Sequence, residues 1–141
     1  MAEGLTVNVV SPLRQYTFVG VNSITLRTTE GEIQILPGHD ALLAALDMGP
    51  LRIDAEKGGN HEEFFVNSGF VEVDRETVRV LAEMLERRDE IDLERAQKAM
   101  ERAQKRIDSK EMNLDLPRAQ KALRRAEYRI MVAKGQDTRQ H

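Results

Sequence analysis

The sequence predicts an α+β protein: an N-terminal β-sandwich or flattened barrel followed by a C-terminal antiparallel two-helix hairpin. Three observations carry this reading. From Leu5 to Glu86 apolar and polar residues alternate in short runs, the period-two pattern of half-buried strands. From Ile91 to Ala133 the apolar spacing changes to three and four, which is one face of a helix. No glycine lies between Gly69 and Gly135, so Leu81 to Lys134 escapes the roughly 1 kcal/mol that glycine costs a helix interior.

The strands follow in order. Leu5, Val7 and Val9 alternate with Thr6 and Asn8; Ile24, Leu26 and Thr28 come next, then Ile33 and Ile35, Leu51 and Ile53, Phe64 to Val66, Phe70 with Val71 and Val73, and Val78 with Val80. Turn signals separate them at Thr29-Glu30-Gly31, Pro37-Gly38-His39-Asp40, Lys57-Gly58-Gly59-Asn60 and Asp74-Arg75-Glu76. Many short strands at close spacing make a sandwich or barrel. Five of the six aromatics lie in this half. Most belong in the core, with Phe64 or Phe65 facing outward because neighbours on a strand point to opposite faces.

In the hairpin, Ile91, Ala96, Ala99, Met100, Ala103 and Ile107 form one apolar seam, and Leu116, Ala119, Leu123, Ala126, Ile130 and Ala133 repeat it. Asp108 to Asp115 is a turn-forming link, with Asp115 an N-cap and Pro117 in the first turn of the second helix. Helices joined by so short a link run antiparallel. Gly135 stops the second helix, and 134–141 reads as a frayed tail. The boundary falls between a β-domain, 1–86, and a helical arm, 87–141.

At about 100° per residue, Arg95, Arg102 and Arg106 fall near −100°, −120° and −80° from Ala96, and Arg118, Arg125 and Arg129 take the same angles from Ala119. In antiparallel helices with facing seams, equal angles point to one side. Six arginines therefore line one edge, and Gln97, Gln104, Gln120 and Glu127 line the other.

Composition bounds the chemistry. Net charge over the 141 residues is −3, but residues 1–86 hold 6 basic and 14 acidic side chains, a balance of −8, while 87–141 hold 15 and 10, a balance of +5. Such asymmetry points to different partners for the two halves. The absence of cysteine excludes disulfide and thiolate chemistry. The N-terminus has neither the basic and apolar regions of a signal peptide nor an arginine-rich transit character, and no apolar run approaches the roughly 20 residues of a membrane span. His39, His61 and His141 have no metal-like spacing, and neither a Ser-His pair nor a Gly-rich phosphate loop occurs. No catalytic residue, metal site or required cofactor is expected. A rival reading is a basic helical adaptor or nucleic-acid-binding module; against it, Tyr128 is the one aromatic in the hairpin for base stacking, and the net charge is negative.

Three segments carry a resemblance. Gly31-Glu32-Ile33-Gln34-Ile35-Leu36-Pro37-Gly38-His39-Asp40-Ala41-Leu42-Leu43 resembles the pattern GEIGILPGHAPLL of the epsilon subunits of bacterial F-type ATP synthases. His61-Glu62-Glu63-Phe64 through Ser68-Gly69-Phe70-Val71-Glu72-Val73 resembles the family's HEEF and GGFLEV strands, and Val78-Arg79-Val80-Leu81-Ala82-Glu83 is similar to VTVLAD. The sequence departs at Gln34 and Ser68, where family members commonly carry glycine, and at Asp40, where alanine is usual. The resemblance implies a non-catalytic rotor component, with the β-domain clamped to the gamma subunit and resting on the c-subunit ring. It implies an arm that either folds down or extends toward the catalytic alpha and beta subunits, where it blocks ATP hydrolysis. Glu32 matches a position facing the c ring and His39 one near gamma. Ile91-Asp92-Leu93-Glu94-Arg95-Ala96 matches the family's I(L)DxxRA nucleotide motif, and Arg102, Arg125 and Arg129, with Glu86, match residues that complete regulatory ATP binding. Asp92 is expected to cap the first helix as well. No nucleic acid is implied, and the membrane is reached only through the complex, at the cytoplasmic face of a bacterial cell membrane.

Overall fold

The computed structural model describes residues 4–55 and 60–135, and the chain divides into two compact units, Met1–Arg87 and Arg88–His141. The first contains β1 (Leu5–Val10), β2 (Gln15–Thr28), β3 (Gly31–Ile35), β4 (Leu42–Ala45), β5 (Gly49–Ala55), β6 (His61–Asp74) and β7 (Thr77–Arg87). Hydrogen bonding runs β1-β7-β6-β5-β2, and β2 returns to pair with β1. Five strands thus close on themselves, removing the unpaired edges that an open sheet would carry. β3 extends this ring from β2, and β4 from β6. All pairs are antiparallel except β1 with β7.

The two 14-residue strands do most of the joining. β7 holds one edge of β6 from Phe64 to Asp74; the other edge pairs with β5 through His61–Val66 and with β4 through Phe70–Val73. The change of partner falls at Ser68 (φ 61) and Gly69 (φ 133), two consecutive left-handed residues. A Cβ on Gly69 would collide with the Leu81 carbonyl oxygen. The bend also exchanges the faces of the strand: Phe64 and Val66 enter the core before it, Val71 and Val73 after it. What the alternation presents as two strands is therefore one bent strand. β2 bends similarly at Gly20 (φ 63), where its register against β1 slips.

The core gathers the alternating residues. Leu5, Val7 and Val9, Ile24 and Leu26, Leu51 and Ile53, and Val78 and Val80 are all buried together with Phe64. The Phe64 ring lies edge-on to Tyr16 at 5.1 Å and to Phe18 at 6.2 Å, geometry that aromatic quadrupoles favour. The expectation that Phe64 or Phe65 faces solvent is not met. Alternation does set Phe65 on the opposite face, outside the core cluster, but that face is covered too and Phe65 is fully buried. The outward aromatic is Phe70, 53% exposed.

The second unit opens with a short 3₁₀ turn, Arg88–Glu90, followed by α1 (Leu93–Ser109) and α2 (Leu116–Lys134). Both helices start on an aspartate. The Asp92 carboxylate accepts from the Arg95 amide and the Asp115 carboxylate from the Arg118 amide, each at 3.1 Å. Both also end on a left-handed residue, Lys110 and Gly135. The helices pack on each other along buried Ala96, Ala103, Ala119 and Ala126; methyl side chains permit the short end of helix-packing distances. Residues 136–141 of the expected tail lie outside the described residues.

Candidate functional site

Small side chains in the seam leave room beside it. A groove of about 690 Å³ runs along the hairpin, floored by Ala99, Ala103, Ala119, Ala122 and Ala126 and walled by Arg102, Arg106, Arg118, Lys121, Arg125 and Arg129. Its size is in the range of small-molecule sites, roughly 300–1,000 Å³. Five of the six arginines projected onto one edge thus come together, from both helices. None of the glutamines projected to the other edge lines the groove.

Arg95 is the exception. The lining on α1 stops at Ala99, and Arg95 stands one turn earlier, exposed, in the first turn of the helix. Asp92 is the α1 N-cap and likewise does not line the groove. Glu86 belongs to β7 of the first unit, opposite Phe65. Of the six residues matched to nucleotide binding, Arg102, Arg125 and Arg129 are brought together, and Glu86, Asp92 and Arg95 are not part of the lining. Lys121, absent from the residues singled out in the sequence, does line it; projection from Ala119 puts it near −160°, within the arginines' half of the helix.

Among the described residues, Arg102, Arg106, Arg118, Lys121 and Arg125 have no acidic partner within ion-pair distance. The Arg125 Nε is buried and has no hydrogen-bond partner. Buried donors are nearly always satisfied, and a lined-up set of uncompensated cations raises the energy of the closed hairpin. Both features fit an anionic ligand. Guanidinium groups suit phosphate oxygens in particular, because their fork donates two parallel hydrogen bonds. Among the described residues no group of three metal-ligating side chains occurs.

The two positions matched to partner contacts lie in the β unit. Glu32 is exposed on β3, opposite Arg27 of β2. His39 closes a turn in which its amide donates to the Leu36 carbonyl at 3.0 Å; Pro37 followed by Gly38 at φ 85 is type II chemistry. The His39 Nδ1 sits 2.7 Å from the Asp40 carbonyl oxygen.

Both units match known families. Residues 4–88 match the family described as ATP synthase, Delta/Epsilon chain, beta-sandwich domain, and residues 89–134 its long alpha-helix domain. The chain belongs to the delta/epsilon family of ATP synthase subunits. It is 43% identical over 107 residues to the ATP synthase epsilon chain of Carboxydothermus hydrogenoformans, covering 76% of this chain and 78% of that one. To the epsilon chain of Geobacter metallireducens it is 43% identical over 104 residues, 74% of each. A chain of the OSCP/F1/c-ring part of the Euglena gracilis mitochondrial ATP synthase superposes with a TM-score of 0.75 at 26% identity, covering 88% of this chain and 78% of that one. The fold also recurs in the central stalk/c-ring structure of the Tetrahymena thermophila enzyme, with a TM-score of 0.56 at 22% identity over 95% and 96% of the two chains. The chain is therefore an epsilon-type subunit of an ATP synthase. Among the described residues no helix is long and apolar enough to cross a membrane.

Proposed function

We propose that this subunit is a non-catalytic rotor component that joins gamma to the c ring and restrains ATP hydrolysis through its hairpin, which takes ATP as a regulatory ligand. The observation that carries the nucleotide part is the groove: Arg102 from α1 with Arg125 and Arg129 from α2 around one cavity, and an unsatisfied buried Nε on Arg125. Arg95, Asp92 and Glu86 stay in the reading on family resemblance alone. Glu32 toward the c ring and His39 toward gamma have the same standing, as does attachment at the cytoplasmic face of the membrane through the complex.

The mechanism follows from where the lining originates. The groove takes side chains from both helices, so it exists only while α1 and α2 lie side by side. A ligand shifts a conformational equilibrium by its differential affinity, and one that needs both walls binds the closed hairpin alone. At a hundred times its Kd such a ligand stabilises the closed state by about 2.7 kcal/mol. When ATP falls, repulsion among the arginines favours an open arm, whose basic edge is then available to the catalytic subunits.

Isothermal titration of the full chain with ATP, ADP and GTP tests this. Saturable, ATP-selective binding that is lost in Arg102→Ala/Arg125→Ala is the expected result. No heat up to millimolar ATP would reduce the basic edge to a protein-docking face.

A further inference from the structure

The hairpin contains its nucleotide motif twice. Asp92-Leu93-Glu94-Arg95-Ala96 recurs 23 residues later as Asp115-Leu116-Pro117-Arg118-Ala119, and the same interval relates Arg102 to Arg125 and Arg106 to Arg129. In antiparallel helices such a repeat makes a pseudo-twofold arrangement. Its centre is the Arg102 and Arg125 pair. The Arg95 and Arg129 end is then the counterpart of an Arg118 and Arg106 end beside the interhelical turn.

The structure treats these ends unequally. At the motif's first copy, Arg129 lines the groove and Arg95 does not; at the second copy, Asp115, Arg118 and Arg106 all line it, joined by Lys121. The turn end thus holds three cations without an acidic partner among the described residues. The carboxylate that lines the groove, Asp115, accepts from the Arg118 amide as the α2 cap. From Arg118 to Arg129 the basic wall runs about 16 Å at 1.5 Å per residue.

We propose that the turn end is a second anion subsite, formed by Arg106, Arg118 and Lys121, that takes a phosphate chain and needs no base. It deepens the nucleotide reading, since the subsite shares the groove and its central Arg102 and Arg125 pair. A polyphosphate lying along the groove meets the turn-end cations first and the central pair next. Besides the cations, the lining holds two polar side chains, Asn113 and Asp115, over the alanine floor.

The probe is sodium tripolyphosphate, titrated calorimetrically into the full chain beside ATP and beside sodium sulfate at matched concentration. All three subsite cations are exposed, so Arg106→Gln/Arg118→Gln leaves the packing intact, and its helix content is checked by circular dichroism. Lys121→Gln serves as a milder second variant. The expected result is saturable tripolyphosphate binding, weakened about tenfold or more in the double variant and less in Lys121→Gln, as loss of charge-assisted hydrogen bonds implies. Equal affinity in wild type and double variant, or heat matched by sulfate, overturns the subsite. Tripolyphosphate binding in a chain that ignores ATP supports the subsite while removing the nucleotide reading. ATP binding without tripolyphosphate binding does the reverse.

Discussion

Neighbouring substitutions at the bend of β6 are expected to change stability in opposite directions. Ser68 holds φ 61 on an exposed side chain. A left-handed conformation costs a residue with a Cβ about 1–2 kcal/mol, and glycine there would be free of that strain. Glycine also loses more chain entropy on folding, about 0.5–1 kcal/mol. The balance predicts that Ser68→Gly stabilises the β unit by about 0.5–1 kcal/mol, a rise in Tm of about 2–4 °C for a chain of this size. Gly69→Ala goes the other way: φ 133 is closed to side chains, and the new methyl would strike the Leu81 carbonyl where Gly69 pairs with Ala82. Relief requires β6 and β7 to separate at the ladder that joins both halves of the barrel, for about 3 kcal/mol or more. Scanning calorimetry, with hydrogen exchange at Val71 and Val80 assigning the transition to the β unit, reads both. A lower Tm for Ser68→Gly, or a change within about 0.5 kcal/mol for Gly69→Ala, would refute the argument that the bend depends on left-handed backbone.

Three further outcomes are expected. Asp92→Ala and Asp115→Ala each remove an N-cap and cost about 1 kcal/mol of hairpin stability, visible as faster amide exchange in the first turn of the corresponding helix. Ala126→Leu overfills the seam and costs about 1–3 kcal/mol; dyes on the two helices report separation while far-ultraviolet dichroism shows the helices intact. Raising sodium chloride from about 10 to 100 mM shortens the screening length from about 30 to 10 Å, so the ligand-free hairpin should melt at higher temperature. An unchanged or lower Tm would mean that the arginine edge carries no net repulsion.

Much of the architecture was legible in local patterns. The shift from period two to period three and four located the transition from strands to helices, because burial of one face imposes each period directly on the residue order. Asp92, Asp115, Pro117 and Gly135 announced the helix ends, since capping is a local interaction of a side chain or backbone with amides a few residues away. Two strand segments escaped notice. Gln15 to Val21 extends β2 through a glycine bend, and Leu42–Ala45 is too short to display alternation. Ser68 and Gly69 looked like a gap between strands because pairing to β7 on both sides of the bend, from Phe64 to Asp74, is what makes the segment one strand.

The arginine edge shows where the two levels of description part. Helical periodicity determined which face of each helix carries Arg95, Arg102 and Arg106, or Arg118, Arg125 and Arg129, because that depends only on 100° per residue. Which of them share a cavity depended on how far each helix continues past its neighbour and where the seam leaves space. Those are properties of two packed helices, written in neither alone. The sequence by itself therefore determined the strand and helix periods, the caps and the basic edge. Only the tertiary structure decided that the barrel closes through β1 and β2, that Phe65 is buried, and that Lys121 joins the groove while Arg95 stands outside it.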